Sequence, residues 1–112
     1  MVKMRSQRVV ELSGGGTTET VKLPRLQYDR SYCWTHIVAK TNDTTARRIR
    51  IYLEAGAGES EIITRTPVTA LDSVEVSADF FLPGDVRICA AFTSVASGAS
   101  LELYAYGYEV VV

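Results

Sequence analysis

The sequence predicts an all-β fold: a single antiparallel β-sandwich, jelly-roll-like, of about seven or eight short strands with an extended N-terminal arm. Three observations predict it. Apolar residues alternate with polar ones instead of recurring at spacings of three and four. Clusters of Gly, Pro, Asn, Asp and Ser cut the chain at short, regular intervals. No stretch of a dozen residues combines helical apolar spacing with helix caps. The 112 residues suit one domain, with residues 1–20 read as an arm or first strand plus a Gly-rich joint and residues 21–112 as the sandwich. At 46% hydrophobic and 22% charged the chain has the composition of a protein with a packed core.

The elements follow in order. RSQRVVEL (5–12) reads as a strand or an arm, and SGGGTTET as a flexible joint. VKLPRL is extended, because Pro24 restricts Leu23. In SYCWTHIVAKT, a strand over 32–41, Cys33, Thr35, Ile37 and Ala39 alternate with Tyr32, Trp34, His36, Val38 and Lys40. Both faces are partly apolar, which predicts a central or covered strand. NDTTA (42–46) is a turn. In RRIRIYLE (47–54), Ile49, Ile51 and Leu53 share the core face, with Arg48, Arg50 and Tyr52 opposite. AGAGES (55–60) is a second turn, with Gly56 and Gly58 free to take positive φ. Strands over 60–66 and 74–81 flank a break at TPVTALDS, where Pro67 cannot donate to a ladder. LPGD (82–85) reads as a type II corner, with Pro83 presetting φ and Gly84 supplying positive φ. It fixes the register of the strand over 86–93, whose Val86, Ile88, Ala90 and Phe92 face inward while Arg87 and Thr93 do not. VASGAS (95–100) then leads to a last strand over 101–111.

Several activities find no support in the residues. The single histidine, His36, lies in a dense apolar run and reads as a packed or interface residue, not a catalytic base. One His and two distant cysteines, Cys33 and Cys89, supply no metal set and read as buried free thiols. GGGTT and GAGES lack the partners of phosphate-binding loops. Neither Glu59/Glu61 nor Asp79/Asp85 stands out from solvated turns. We therefore expect no enzyme, no cofactor and no metal. A net charge of −1 argues against a nucleic-acid partner, and no window approaches a membrane span. The charged start, MVKMRSQRVVEL, does not read as a signal peptide, so folding in a cytosol is expected.

Two features point to contact surfaces. Tyr104, Tyr106 and Tyr108 alternate in the last strand and share a face, giving area and polar tips to a partner. Charge is also unevenly spread, because residues 1–50 hold ten of the twelve Lys and Arg but four of the thirteen acids. Lys3, Arg5 and Arg8, with Arg48 and Arg50, are thus candidates for a basic surface towards a larger partner.

The order of these segments resembles small β-sandwich virion proteins of tailed bacteriophages. The resemblance rests on the TND turn of IVAKTNDTTARRIRIYL, on Leu82, Gly84, Asp85 and Ile88 in FLPGDVRICAAF, and on Gly107, Tyr108 and Glu109 in the closing YGYEVVV. It covers roughly residues 20–112. It implies a structural role in the virion, as a head decoration (cement) protein or a tail or fibre-attachment component. It also implies a homo-oligomer, with a trimer favoured, bound to a major capsid protein or another virion protein. A carbohydrate-binding sandwich using Trp34 and the tyrosines is a further alternative.

Overall fold

The computed structural model describes residues 2–25, 31–43, 48–56, 58–65, 73–82 and 86–110. They form eight strands: β1 (Val2–Leu12), β2 (Thr18–Lys22), β3 (Ser31–Thr41), β4 (Arg48–Ala55), β5 (Gly58–Arg65), β6 (Ser73–Leu82), β7 (Val86–Thr93) and β8 (Ser100–Val110). Two four-stranded sheets result, one in the order β1-β8-β3-β6 and the other β2-β7-β4-β5. Every pairing is antiparallel. The chain changes sheet at every connection except β4 to β5, so the eight strands form a jelly-roll sandwich.

The core lies between the sheets. Val21, Ile49, Ile51, Val86, Ile88, Ala90 and Phe92 come from one side, and Trp34, Ile37, Ala39, Leu101, Leu103 and Ala105 from the other. The alternation expected in β4, β7 and β8 therefore sets the inward faces. In β3 it does not hold throughout. The register against β8 shifts between Trp34 and His36, which makes Thr35 the extra residue of a β-bulge there; against β6 the shift has the opposite sense, with Ala78 and Asp79 of β6 across from Thr35 alone. The bulge switches faces in mid-strand. Tyr32 and Trp34 point inward before it, and Ile37 and Ala39 point inward after it. The expected grouping of Cys33 with Ile37 and Ala39 is thus corrected. The Thr35 hydroxyl donates to the Tyr106 carbonyl at 3.2 Å.

The bulge also explains a glycine in the middle of β8. Gly107 pairs with Trp34, and a Cβ built on it would sit 2.0 Å from the Cys33 carbonyl oxygen. Only a bare backbone fits between the strands there.

Of the two readings of the N-terminal segment, strand or arm, the strand is the one formed. All of β1 pairs with β8, from Val2 opposite Val110 to Leu12 opposite Ser100. SGGGTTET is not a free joint, since its last three residues open β2, which pairs with β7. The Glu19 carboxylate accepts from the Gly14 and Gly16 amides at 2.9 and 3.0 Å, so an internal anion occupies the amides that a phosphate reading would have needed. Ser13 and Thr17 tie the segment to the β7–β8 loop through Ala99, Gly98 and Ser94. From the other side, Asn42 accepts from the Ser100 amide at 2.9 Å, and the Asp43 carboxylate accepts from the Ala96 amide. In the β4–β5 hairpin Gly56 takes positive φ, whereas Gly58 already belongs to β5. The Pro67 break and the Pro83-Gly84-Asp85 corner lie outside the described residues, as do residues 44–46 of the NDTTA turn and Arg47 after it.

Candidate interaction surfaces

The outer face of the β1-β8-β3-β6 sheet is aromatic. Tyr104, Tyr106 and Tyr108 alternate with inward Leu103, Ala105 and Gly107, as a two-residue period requires. Tyr104 and Tyr106 stack with ring centroids 6.0 Å apart. His36 also stacks with Tyr106, at 5.0 Å, and the Lys40 ammonium lies 5.9 Å from the Tyr104 ring. Cys33 and Val38, opposite Tyr108 and Tyr104 in register, are buried although they lie outside the core cluster. Beside this row stand Met4, Ser6, Arg8, Val10 and Leu12 of β1, opposite Tyr108, Tyr106, Tyr104, Glu102 and Ser100. Met4 is 78% exposed, Leu12 75%, Val10 49% and Tyr106 42%. The four most exposed large apolar or aromatic side chains among the described residues thus share one face, the pattern of a contact surface rather than of scattered surface hydrophobes. A shallow depression of about 310 Å³ opens there, lined by Arg8, Lys40, Glu102, Tyr104 and Tyr106.

The basic candidates do not gather. Arg8 is on this tyrosine face and donates to Glu102 at 2.9 Å. Arg5 lies on the opposite face of β1 and donates to Glu109 at 2.6 Å, which places a cation beside a glutamate that is almost wholly buried. Lys3, opposite Glu109 in register, is exposed. Residues 1–12 therefore supply no single basic patch.

Arg48 and Arg50 lie on the outer face of the second sheet, which collects more basic residues than the sequence suggested. Glu54 accepts from Lys22 at 3.0 Å, Arg25 at 3.1 Å and Arg87 at 2.5 Å. Lys22 first, and then Arg87, hold its carboxyl below the usual range. Arg50 stacks over the Tyr52 ring at 4.3 Å and reaches Glu59 at 3.4 Å. Arg48 is exposed at the end of this row.

Beneath these charges Tyr52 is only 5% exposed. Burial, then the neighbouring Cys89 and Glu59, push its phenol up to about 12. The unfolded chain ionises a tyrosine near 10. The neutral phenol therefore contributes stability that is fully present below about pH 10 and is lost as pH rises towards about 12. A two-unit shift corresponds to about 2–3 kcal/mol. Tyr52→Phe should remove this alkaline decline. Urea unfolding at pH 9 and pH 11 checks it, and an unchanged pH dependence in the variant would refute it.

His36 also meets residues that sequence reasoning missed. Its Nδ1 is 2.9 Å from the Ser77 hydroxyl, and its Nε2 is 3.8 Å from a Glu75 oxygen. Ser77 and Glu75 share a face of β6 two residues apart, so the sheet register brings them to His36. The ring is packed, as expected. Cys33 and Cys89 are free, buried and in different sheets. Trp34 is 1% exposed in the core and cannot join an outer aromatic platform, which corrects the part assigned to it in the carbohydrate alternative.

No family model matches the sequence, and neither does any curated protein. Among solved structures, a chain of infectious bursal disease virus, Gt strain, is similar with a TM-score of 0.44 and 10% identity, over 96% of this chain and 38% of that one. A chain of the Gx strain of the same virus is similar with a TM-score of 0.43 and 12% identity, over 97% of this chain and 32% of that one.

Proposed function

We propose that the protein is a non-enzymatic structural component of a virion, a capsid decoration (cement) protein that binds the assembled shell as a homo-oligomer. The observation that carries this reading is the outer face of the β1-β8-β3-β6 sheet, with its tyrosine row and exposed Met4, Val10 and Leu12. Burying such a face against another protein releases water from apolar area while the phenol tips keep their polar contacts. The other sheet, with Lys22, Arg25, Arg48, Arg50 and Arg87 around Glu54 and Glu59, offers the polar surface towards the shell. The mechanism is mass action: a protein that binds only the assembled lattice stabilises it against rupture. The tailed-phage assignment and the trimer are what the resemblance in the sequence implies.

Particles made with and without this chain test the reading. The chain should be present in the purified particles, and particles lacking it should release their genome at a lower temperature. Attachment through the basic face should weaken as salt rises, because exposed charges are screened beyond a Debye length of about 8–10 Å, while apolar self-association persists. Absence of the chain from purified particles would refute the assignment. Presence at a tail tip only would favour the alternative of a tail or fibre adaptor. A second reading, a glycan-binding module, draws on the depression beside the stacked Tyr104 and Tyr106; binding to immobilised glycans that is lost in Tyr106→Ala would favour it.

A further inference from the structure

The strand β1 ends its sheet with nothing paired to its outer edge among the described residues. It is the longest of the four edge strands, at 11 residues. It carries no proline and no bulge, and its register against β8 is continuous. Proteins usually blunt such an edge, because a row of unpaired amides and carbonyls invites another strand. We propose that a second copy of this chain occupies it, β1 against β1, antiparallel about a two-fold axis through Gln7. This rests on the self-association part of the function proposed above and names its surface.

The register is what commits the proposal to a second copy. A two-fold axis normal to the sheet must pass through a residue if both outer faces are to lie on one side. Centred on Gln7, the pairing overlaps the whole strand. It sets Lys3 opposite the partner's Glu11, twice by symmetry. On the outer face it sets Met4 opposite Val10, two of the most exposed apolar side chains, and Ser6 opposite Arg8. Lys3 and Glu11 are both exposed and form no ion pair with the described residues. The neighbouring registers are worse. Centring on Arg8 sets Glu11 opposite Arg5, which Glu109 already holds, and places two arginines face to face. Centring on Ser6 sets Lys3 against Val9 and Met4 against Arg8, with no opposite charges paired. Opposed unlike charges and apolar cross-strand pairs stabilise a sheet, and opposed like charges destabilise it. The joined sheet has eight strands, with both tyrosine rows on the same side. A two-fold contact yields dimers or joins larger assemblies in pairs, and cannot by itself close a trimer.

Sedimentation of the purified full chain tests it through charge reversal. Lys3→Glu turns two attractive pairs into two repulsions and should weaken the dimer about tenfold or more. Glu11→Lys alone should do the same, and the double variant should restore dimerisation. Both sites are exposed, so circular dichroism should be unchanged in all three, and urea unfolding at a concentration that keeps every variant monomeric should shift by no more than about 1 kcal/mol, most in Lys3→Glu because residue 3 stands opposite Glu109. An equal dimer in Lys3→Glu, or a double variant no better than the singles, would overturn the contact, as would a wild type monomeric at tens of micromolar. Failure of the virion reading is distinguishable: it would leave this dimer intact in a protein absent from particles.

Discussion

Replacing Gly107 by alanine is expected to cost about 4 kcal/mol or more, a large share of the roughly 5–15 kcal/mol that holds a domain folded. The new Cβ would lie 2.0 Å from the Cys33 carbonyl oxygen, 2.9 Å from its carbonyl carbon and 2.8 Å from the Trp34 Cα. All three are backbone atoms of β3, so no side chain can swing away, and two central strands must part. The bulge at Thr35 would move, and with it the inward placement of Trp34. Space, not backbone conformation, sets the cost, because Gly107 is not among the positive-φ residues. Gly56 is the matching control. It has φ 57° and open space around it, so Gly56→Ala should cost only the left-handed strain of about 1–2 kcal/mol. Urea unfolding of the two variants compares them directly. A loss below about 2 kcal/mol at Gly107 would mean that β3 and β8 do not approach as described.

The same glycine marks what was and was not legible in the sequence. Period-two patterning identified the core faces of β4, β7 and β8 because each runs without interruption and one sheet face is buried. In β3 both faces are buried: Cys33 and Val38 opposite the tyrosines, Trp34 and Ile37 in the core. Hydrophobicity there cannot show where the faces switch. A glycine inside the dense last strand was the available sign of a close backbone approach. The strand β2 escaped notice because Val21 is its only buried residue.

The tyrosine face was readable from spacing alone. Lys3, Arg5 and Arg8 do not form one patch, for the same geometric reason. Residues 5 and 8 have opposite parity, so a strand sends them to opposite faces, and only the arm reading allowed them to act together. The charge asymmetry along the chain is consumed in pairing. Arg5, Arg8, Lys22, Arg25, Lys40 and Arg50, all from the first half, meet Glu109, Glu102, Glu54 and Glu59 from the second. A jelly roll interleaves its two halves strand by strand, and a split in sequence becomes a mixture in space.

Truncating the centre of that interleaved core is the second large effect expected. Ile51→Ala and Ile88→Ala should each cost about 2–5 kcal/mol. Ile51 is fully buried and Ile88 is 1% exposed, and both belong to the one core cluster. They stand on adjacent strands, with Ile51 opposite Ala90 and Ile88 opposite Leu53. Each truncation loses the transfer free energy of the deleted carbons and leaves a cavity that the facing sheet, with Trp34, Ile37 and Leu103, can only partly fill. The two sites are diagonal neighbours on one sheet face, so their cavities can merge. The double variant should then depart from the sum of the singles by about 0.5 kcal/mol or more. Val10→Ala is the contrasting change. Val10 is 49% exposed on the edge strand, and its loss should stay within about 0.5 kcal/mol in the monomer. Equilibrium unfolding at a protein concentration low enough to keep the chain monomeric measures all four. A cost below about 1 kcal/mol at Ile51 or Ile88 would place that side chain on the solvent side, one residue out of register from the sheet described here.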